Sequence, residues 1–113
     1  MKKEYRVKKN KEFQYAFQKG KSFANRQLVI YHVKKTDQTH YRAGLSVGKK
    51  IGNAVTRNRI KRYLRQAFQE LDAYIAPECD IIVIARQPVK DLEFAVIKKS
   101  LVHLLKKEQL LTF

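Results

Sequence analysis

Between Asp37 and Glu70 the sequence holds no carboxylate, yet Arg42, Lys49, Lys50, Arg57, Arg59, Lys61, Arg62 and Arg65 all fall there. Cations without acids cannot relay protons or hold a metal. They can neutralise a polyanion, and a solvated salt-bridged surface would mix the signs. The spacing sharpens this reading. At about 100° per residue, Arg57, Lys61 and Arg65 form one ridge of a helix, with Asn58 and Arg62 beside them and Arg59 toward the far side. These groups occupy the first half of that helix, where the macrodipole already places positive charge, whereas Glu70 and Asp72 come late. A helix built for stability alone would do the reverse, since each misplaced exposed charge costs about 0.3–1 kcal/mol. Helix N-terminus, Lys49, Lys50 and the arginines together suit an anionic backbone.

A second set of residues is aromatic. Phe13 and Phe17 lie one turn apart, Tyr31 sits in an extended stretch, and Lys9, Lys11, Lys19 and Lys21 surround the two Phe. Such rings can be core. They can also be a platform on which unpaired bases stack, at about 1–3 kcal/mol per base and with little sequence preference. An aromatic groove beside a basic helix is how a single strand is held.

Other chemistries find no residues. His32, His40 and His103 lack metal-ligand spacing and obvious acidic partners, and the single cysteine, Cys79, can form neither an intrachain disulfide nor a zinc finger. The acids are too scattered to suggest a two-metal nuclease site. No protein-borne catalytic set and no protein-bound metal is therefore expected. No apolar stretch approaches the roughly 20 residues that span a bilayer, and the N-terminus lacks the apolar part of a signal peptide. These features lead us to expect a cytoplasmic protein.

The elements that must position these groups follow from periodicity. The 113 residues suit one domain, 1–113, and 44% of them are hydrophobic, enough for a modest core. The net charge of +15 is one-sided: residues 1–69 carry 19 basic against 3 acidic groups, residues 70–113 carry 6 against 7. Residues 1–9 read as a mobile basic segment. Asn10 to Lys19 predicts a short helix, capped by Asn10 and closed by Gly20. Leu28 to Lys35 and Tyr41 to Val47 predict two strands, most simply joined as a hairpin, with Ala43, Leu45 and Val47 on one face. Asn53 caps a long helix reaching about Tyr74, with Ile60, Leu64, Ala67, Phe68 and Leu71 as its apolar stripe. Asp80 to Arg86 predicts a strand buried on both faces. Asp91 starts a last helix through about Lys107. The order is αββαβα, an α/β (α+β) sandwich with a mixed sheet. If the strands flanking the long helix are parallel neighbours, general statistics favour a right-handed crossover.

The run Ser46-Val47-Gly48-Lys49-Lys50-Ile51-Gly52-Asn53-Ala54-Val55-Thr56-Arg57-Asn58-Arg59-Ile60-Lys61-Arg62 resembles the bacterial ribonuclease P protein family, whose signature is an Arg-Asn-Arg motif followed by a basic helix. Phe13, Phe17 and Gly20, the Ala24-Asn25-Arg26 segment and the strand ending at Arg86 match as well, so the resemblance covers nearly the whole chain. It implies a left-handed βαβ crossover, against the general statistics. It implies a subunit of the ribonucleoprotein that removes the 5′ leader of precursor tRNA, with hydrolysis carried out by a catalytic RNA and its Mg²⁺. Phe13, Phe17 and Tyr31 would line the leader cleft, bordered by Arg57, Lys61 and Arg65, with Arg86 reaching it from the sheet. Asn58, Arg59 and Arg62 would face the catalytic RNA, and Lys49, Lys50 and Asn53 would join them or the substrate. The protein itself would be monomeric.

Three rivals share parts of this pattern. A ribosomal-type RNA-binding protein shares the charge and fold class. A DNA-binding protein would need a dimer or helix-turn-helix signature that is absent. A membrane-surface helix would need the apolar stripe that the sheet requires.

Overall fold

The computed structural model describes all residues, Met1–Phe113. Its elements are α1 (Asn10–Lys19), β1 (Lys21–Ala24), β2 (Leu28–Lys34), β3 (Arg42–Ser46), α2 (Ala54–Leu71), β4 (Cys79–Ala85) and α3 (Phe94–Lys107), with short 3₁₀ turns between them. The four strands form one mixed sheet in the order β1-β2-β4-β3. β1–β2 and β2–β4 are antiparallel, and β3–β4 is parallel.

The expected hairpin between residues 28–35 and 41–47 is therefore absent. β4 lies between those strands, pairing Leu28–Lys34 on one side and Arg42–Ser46 on the other. The reason is in its side chains. Ile81 and Val83 face one side and Ile82 the other, and all three are fully buried, which only a central strand permits. The strands flanking α2 are indeed parallel neighbours. β1 is an addition to the expected order. It pairs Lys21–Ala24 with Val29–His32 through a turn in which Asn25 Oδ1 accepts the Gln27 and Leu28 N–H groups at 3.1 and 2.9 Å.

The two faces of the sheet are unequal. Leu28, Ile30, Ala43, Ile81 and Val83 join α2 and α3 in the main core, through Ile60, Leu64 and Phe68 and through Ile97, Leu101 and Leu104. The opposite face carries only α1, whose Ala16 is buried with Val7, Val33 and Ile82. One ten-residue helix cannot cover four strands, so part of this face stays open.

Capping differs from expectation at two of three helices. Asn53 caps α2 as read, its side chain accepting the Thr56 N–H at 2.9 Å. In α1 the cap position is Lys9 and Asn10 is already helical. In α3 the cap position is Glu93, because the 3₁₀ turn at Gln87–Val89 continues through Lys90 N–H to Gln87 O and Leu92 N–H to Val89 O, holding Asp91 outside the helix. Gly20 closes α1 in an extended conformation. Its need for glycine is steric, since a Cβ there would lie 2.5 Å from Ala16 O and 2.7 Å from His32 O.

One ionic group ties α1 to the sheet. Asp80, in β4 and facing α1, has no solvent exposure. Arg42 of β3 donates to both its carboxylate oxygens, at 3.0 and 2.7 Å, and to Glu12 of α1 at 2.5 Å. Burial alone would raise the Glu12 carboxyl, and the Arg42 hydrogen bond and charge outweigh it, holding Glu12 below its ordinary range.

Candidate nucleic-acid interface

The apolar stripe of α2 decides where its cations go. Ile60 and Leu64 are fully buried against the sheet. Lys61 and Arg65, one residue further round, therefore emerge at the rim, beside the β3 edge. There they line a cavity of about 110 Å³ together with Arg6, Phe13, Gly44 and Leu45. Arg57, one turn earlier, donates from Nε to Gly52 O at 3.2 Å.

The floor beside this rim is aromatic. Phe13 and Phe17 have ring centroids 6.4 Å apart, and Phe17 meets Tyr31 edge-on at 5.0 Å. All three rings are half-buried, resting on the small cluster of Val7, Ala16, Val33 and Ile82. They serve as core on one side and remain open on the other. Gly44 makes this seating feasible, because a Cβ there would sit 2.7 Å from Phe13 Cζ and 2.9 Å from Ile82 Cδ1. Gly44→Ala is expected to push Phe13 off the sheet at a cost of about 1–3 kcal/mol, the usual scale of overpacking. Thermal unfolding checks this, and an unchanged melting temperature would mean that the ring does not rest on Gly44.

The rim is electrostatically unfinished. Among all Lys and Arg side chains only Arg42 and Lys98 form ion pairs with carboxylates. Arg6 and Arg65 stand close enough that burial, and then the Arg6 charge, pull the Arg65 guanidinium below its ordinary basicity. The Nε donors of Arg6, Arg59 and Arg65 are buried without any partner. Arg6 Nη2 donates to Met1 O at 3.3 Å, and neither of the two neighbouring guanidiniums has a carboxylate partner. Arg6 was not legible in the sequence. It reaches the rim because Val7 N–H bonds Ala43 O at 3.0 Å, laying residues 6 and 7 along β3. Tyr5 and Val7, apolar side chains in a basic stretch, were the signal.

The other sequence-derived candidates are dispersed. Arg86, exposed at the end of β4, donates to Asn25 O at 2.7 Å and so sits by the β1–β2 turn. Lys49 and Lys50 are exposed in the 3₁₀ turn before α2, and Asn58 and Arg62 are exposed on its outer face. Arg59 turns back to donate to Lys90 O at 2.6 Å. Asn53 Oδ1 is occupied as the helix cap. No group of three or more His, Cys, Asp or Glu side chains stands together where it could hold a metal ion. No helix is long and apolar enough to cross a membrane.

The ribonuclease P family model matches residues 1–109. The chain belongs to the ribonuclease P protein family. It is 66% identical over 111 residues to the ribonuclease P protein component of Oceanobacillus iheyensis, spanning 98% of this chain and 92% of that one. The corresponding protein of Listeria monocytogenes is 60% identical over 106 residues, covering 94% and 89%. Among solved structures, the Staphylococcus aureus RNase P protein superposes with a TM-score of 0.89 at 48% identity, covering 96% of this chain and 98% of that one. The Thermotoga maritima RNase P protein gives 0.83 at 30% identity, covering 90% and 96%. The ribonuclease P proteins thus share this chain's sheet and helices across nearly their whole length.

Proposed function

We propose that this chain holds the 5′ leader of precursor tRNA between its aromatic floor and its cationic rim while a catalytic RNA subunit, with its Mg²⁺, cuts the phosphodiester. Family membership supplies the coarse statement, a subunit of a tRNA-processing ribonuclease complex. It also sets aside the ribosomal-type and DNA-binding alternatives. The observation that carries the finer reading is the pair Arg6 and Arg65, neighbouring guanidiniums without a carboxylate partner in the cavity that Phe13 also lines.

Phe13, Phe17 and Tyr31 would take unpaired bases by stacking, which needs no sequence match. Lys61, Arg65 and Arg57 would take the phosphates that follow those bases, joined by Arg6. Arg86 would extend the cleft toward the β1–β2 turn. The outer face of α2, with Asn58 and Arg62, and the turn carrying Lys49 and Lys50 would meet the catalytic RNA. Arg59 would need to give up its bond to Lys90 O to join them. Asn53 supports that face by starting the helix.

The physical logic is one of differences. The tRNA body is common to precursor and product, so contacts to it cannot distinguish them. A leader-binding cleft adds affinity to the precursor alone, and that affinity departs with the leader. The cations also screen phosphate repulsion between two RNAs, which lowers the Mg²⁺ concentration the complex needs. In this reading the protein's contribution is positioning and screening in a cytoplasmic complex.

Reconstitution with the cognate catalytic RNA tests this. Precursor cleavage at low Mg²⁺ should require both subunits. Cleavage by the protein alone would overturn the division of labour. The rim has its own signature: Lys61→Gln/Arg65→Gln should reduce the slope of log affinity against log salt by about 1.4, two single-strand phosphate contacts at about 0.7 each. An unchanged slope would remove these side chains from the phosphate path.

A further inference from the structure

The side of α1 turned away from the cleft carries a second basic surface that the reading above does not use. Tyr15 lies about 200° round the helix from both Phe13 and Phe17. It is among the few large apolar side chains left exposed, at 44%. The Lys35 ammonium sits 4.7 Å from its ring centroid. Around it opens a concavity of about 670 Å³, lined by Asn10, Lys11, Gln14, Gln18 and Lys35. A second concavity of about 460 Å³ meets it at Tyr15 and adds Lys19, Lys21 and Lys34. The one acid in either lining is Glu12, which shares the Arg42 guanidinium with Asp80. Five lysines therefore surround one exposed aromatic ring, with Glu12 as the single carboxylate among them.

The chemistry of this surface identifies its occupant. Asn10, Gln14 and Gln18 are four residues apart, forming a row of amides about 5–6 Å from one to the next along α1. Amides read base edges, an open ring accepts a stacked base, and lysines take phosphates. A double helix offers phosphates but hides its bases, so it would leave the ring and the amide row idle. Single-stranded RNA uses all three. Its route from the cleft is short. Phe17 faces Tyr31 of β2, and the chain beyond Phe17 runs through Lys19 and Lys21 at the C-terminal end of α1, where the second concavity begins.

We infer that the outer face of α1, centred on Tyr15 and Lys35, is a second single-strand subsite that takes the 5′-distal part of a long leader after it rounds the Lys19–Lys21 corner. This rests on the leader-cleft reading, because the cleft sets the strand's direction.

The test uses the reconstituted holoenzyme and two precursors. One leader only fills the cleft, and the other is extended by an unstructured run. Tyr15→Ala/Lys35→Gln should weaken binding of the extended precursor by about tenfold, the scale of one lost base stack, and leave the short one unchanged. Both positions lie at the surface, and an unchanged far-ultraviolet spectrum confirms folding. Equal weakening of both precursors would assign the face to structured RNA and overturn the inference, as would no weakening of either. Phe13→Leu/Phe17→Leu serves as the control. It should weaken both precursors, and if it weakens neither, the cleft reading fails and the proposed path fails with it.

Discussion

Arg42→Met should lower the melting temperature by about 10 °C and loosen α1, one wall of the proposed leader cleft, from the sheet. Arg42 spans three elements, joining Asp80 of β4 and Glu12 of α1 from its place on β3. Removing it leaves Asp80 buried with no counter-charge. Breaking a buried ion pair by deleting one partner typically costs 3–5 kcal/mol, and since about a fifth of the Arg42 side chain is wet we take the lower end, about 3 kcal/mol. For a chain of this size each kcal/mol moves the midpoint by about 4 °C. The damage is directional, because α1 holds Phe13 and Phe17 and meets the sheet through few other buried residues, chiefly Ala16. Leader affinity should therefore fall with stability. Arg42→Met/Asp80→Leu removes both charges and should recover much of the melting temperature, since the cost lies in the orphaned carboxylate. A shift below about 2 °C for Arg42→Met would show that the group does not anchor α1. Acid should act through the same group. The Glu12 carboxyl is lowered in the fold, so its stabilisation is complete above the ordinary value of 4.5 and is lost as the pH falls through the lower folded value. Glu12→Gln should flatten that part of the stability curve.

Phe13→Leu/Phe17→Leu should lower kcat/KM for subsaturating precursor by about a hundredfold while leaving the fold intact. Two lost base stacks at about 1–3 kcal/mol each account for that scale. Leucine rather than alanine is the informative choice. Both rings are half-buried over the Ala16, Val33 and Ile82 cluster, so alanine would open a void and confuse stability with binding. Leucine keeps the apolar cover and removes the π-face. A leucine pair that melts within a few degrees of the wild type yet cleaves normally would make Phe13 and Phe17 core residues and nothing more.

Much of this was legible because it is local. The α2 stripe and its forward-loaded cations are read within 18 residues, with the Asn53 cap just before them, and the structure places Lys61 and Arg65 at the rim as the stripe requires. The aromatic floor was legible as residue types, and its assembly was not. Phe13 and Phe17 come from α1, Tyr31 from β2, and the seat beneath Phe13 is Gly44 of β3, a residue whose importance is visible only once a Cβ is imagined there. Sheet order failed for a definable reason. Proximity in sequence favours joining residues 28–34 to 42–46, and that preference lost to the need of Ile81, Ile82 and Val83 for a neighbour on each side and cover on each face. Lys21–Ala24 escaped notice because an exposed edge strand of four residues shows no alternation. Arg6 escaped because its position depends on one backbone bond to Ala43 across the sheet edge.

In the function proposed above, half-buried rings and guanidiniums without carboxylate partners bind the part of the substrate that the product lacks. The measurement that bears on it most directly is the ratio of holoenzyme affinities for precursor and mature tRNA, taken with wild-type protein and with the Phe13→Leu/Phe17→Leu pair. A wild-type ratio well above one that collapses toward one in the leucine pair, with mature tRNA bound equally by both, is the expected result. A ratio that is the same for both proteins would contradict the claim.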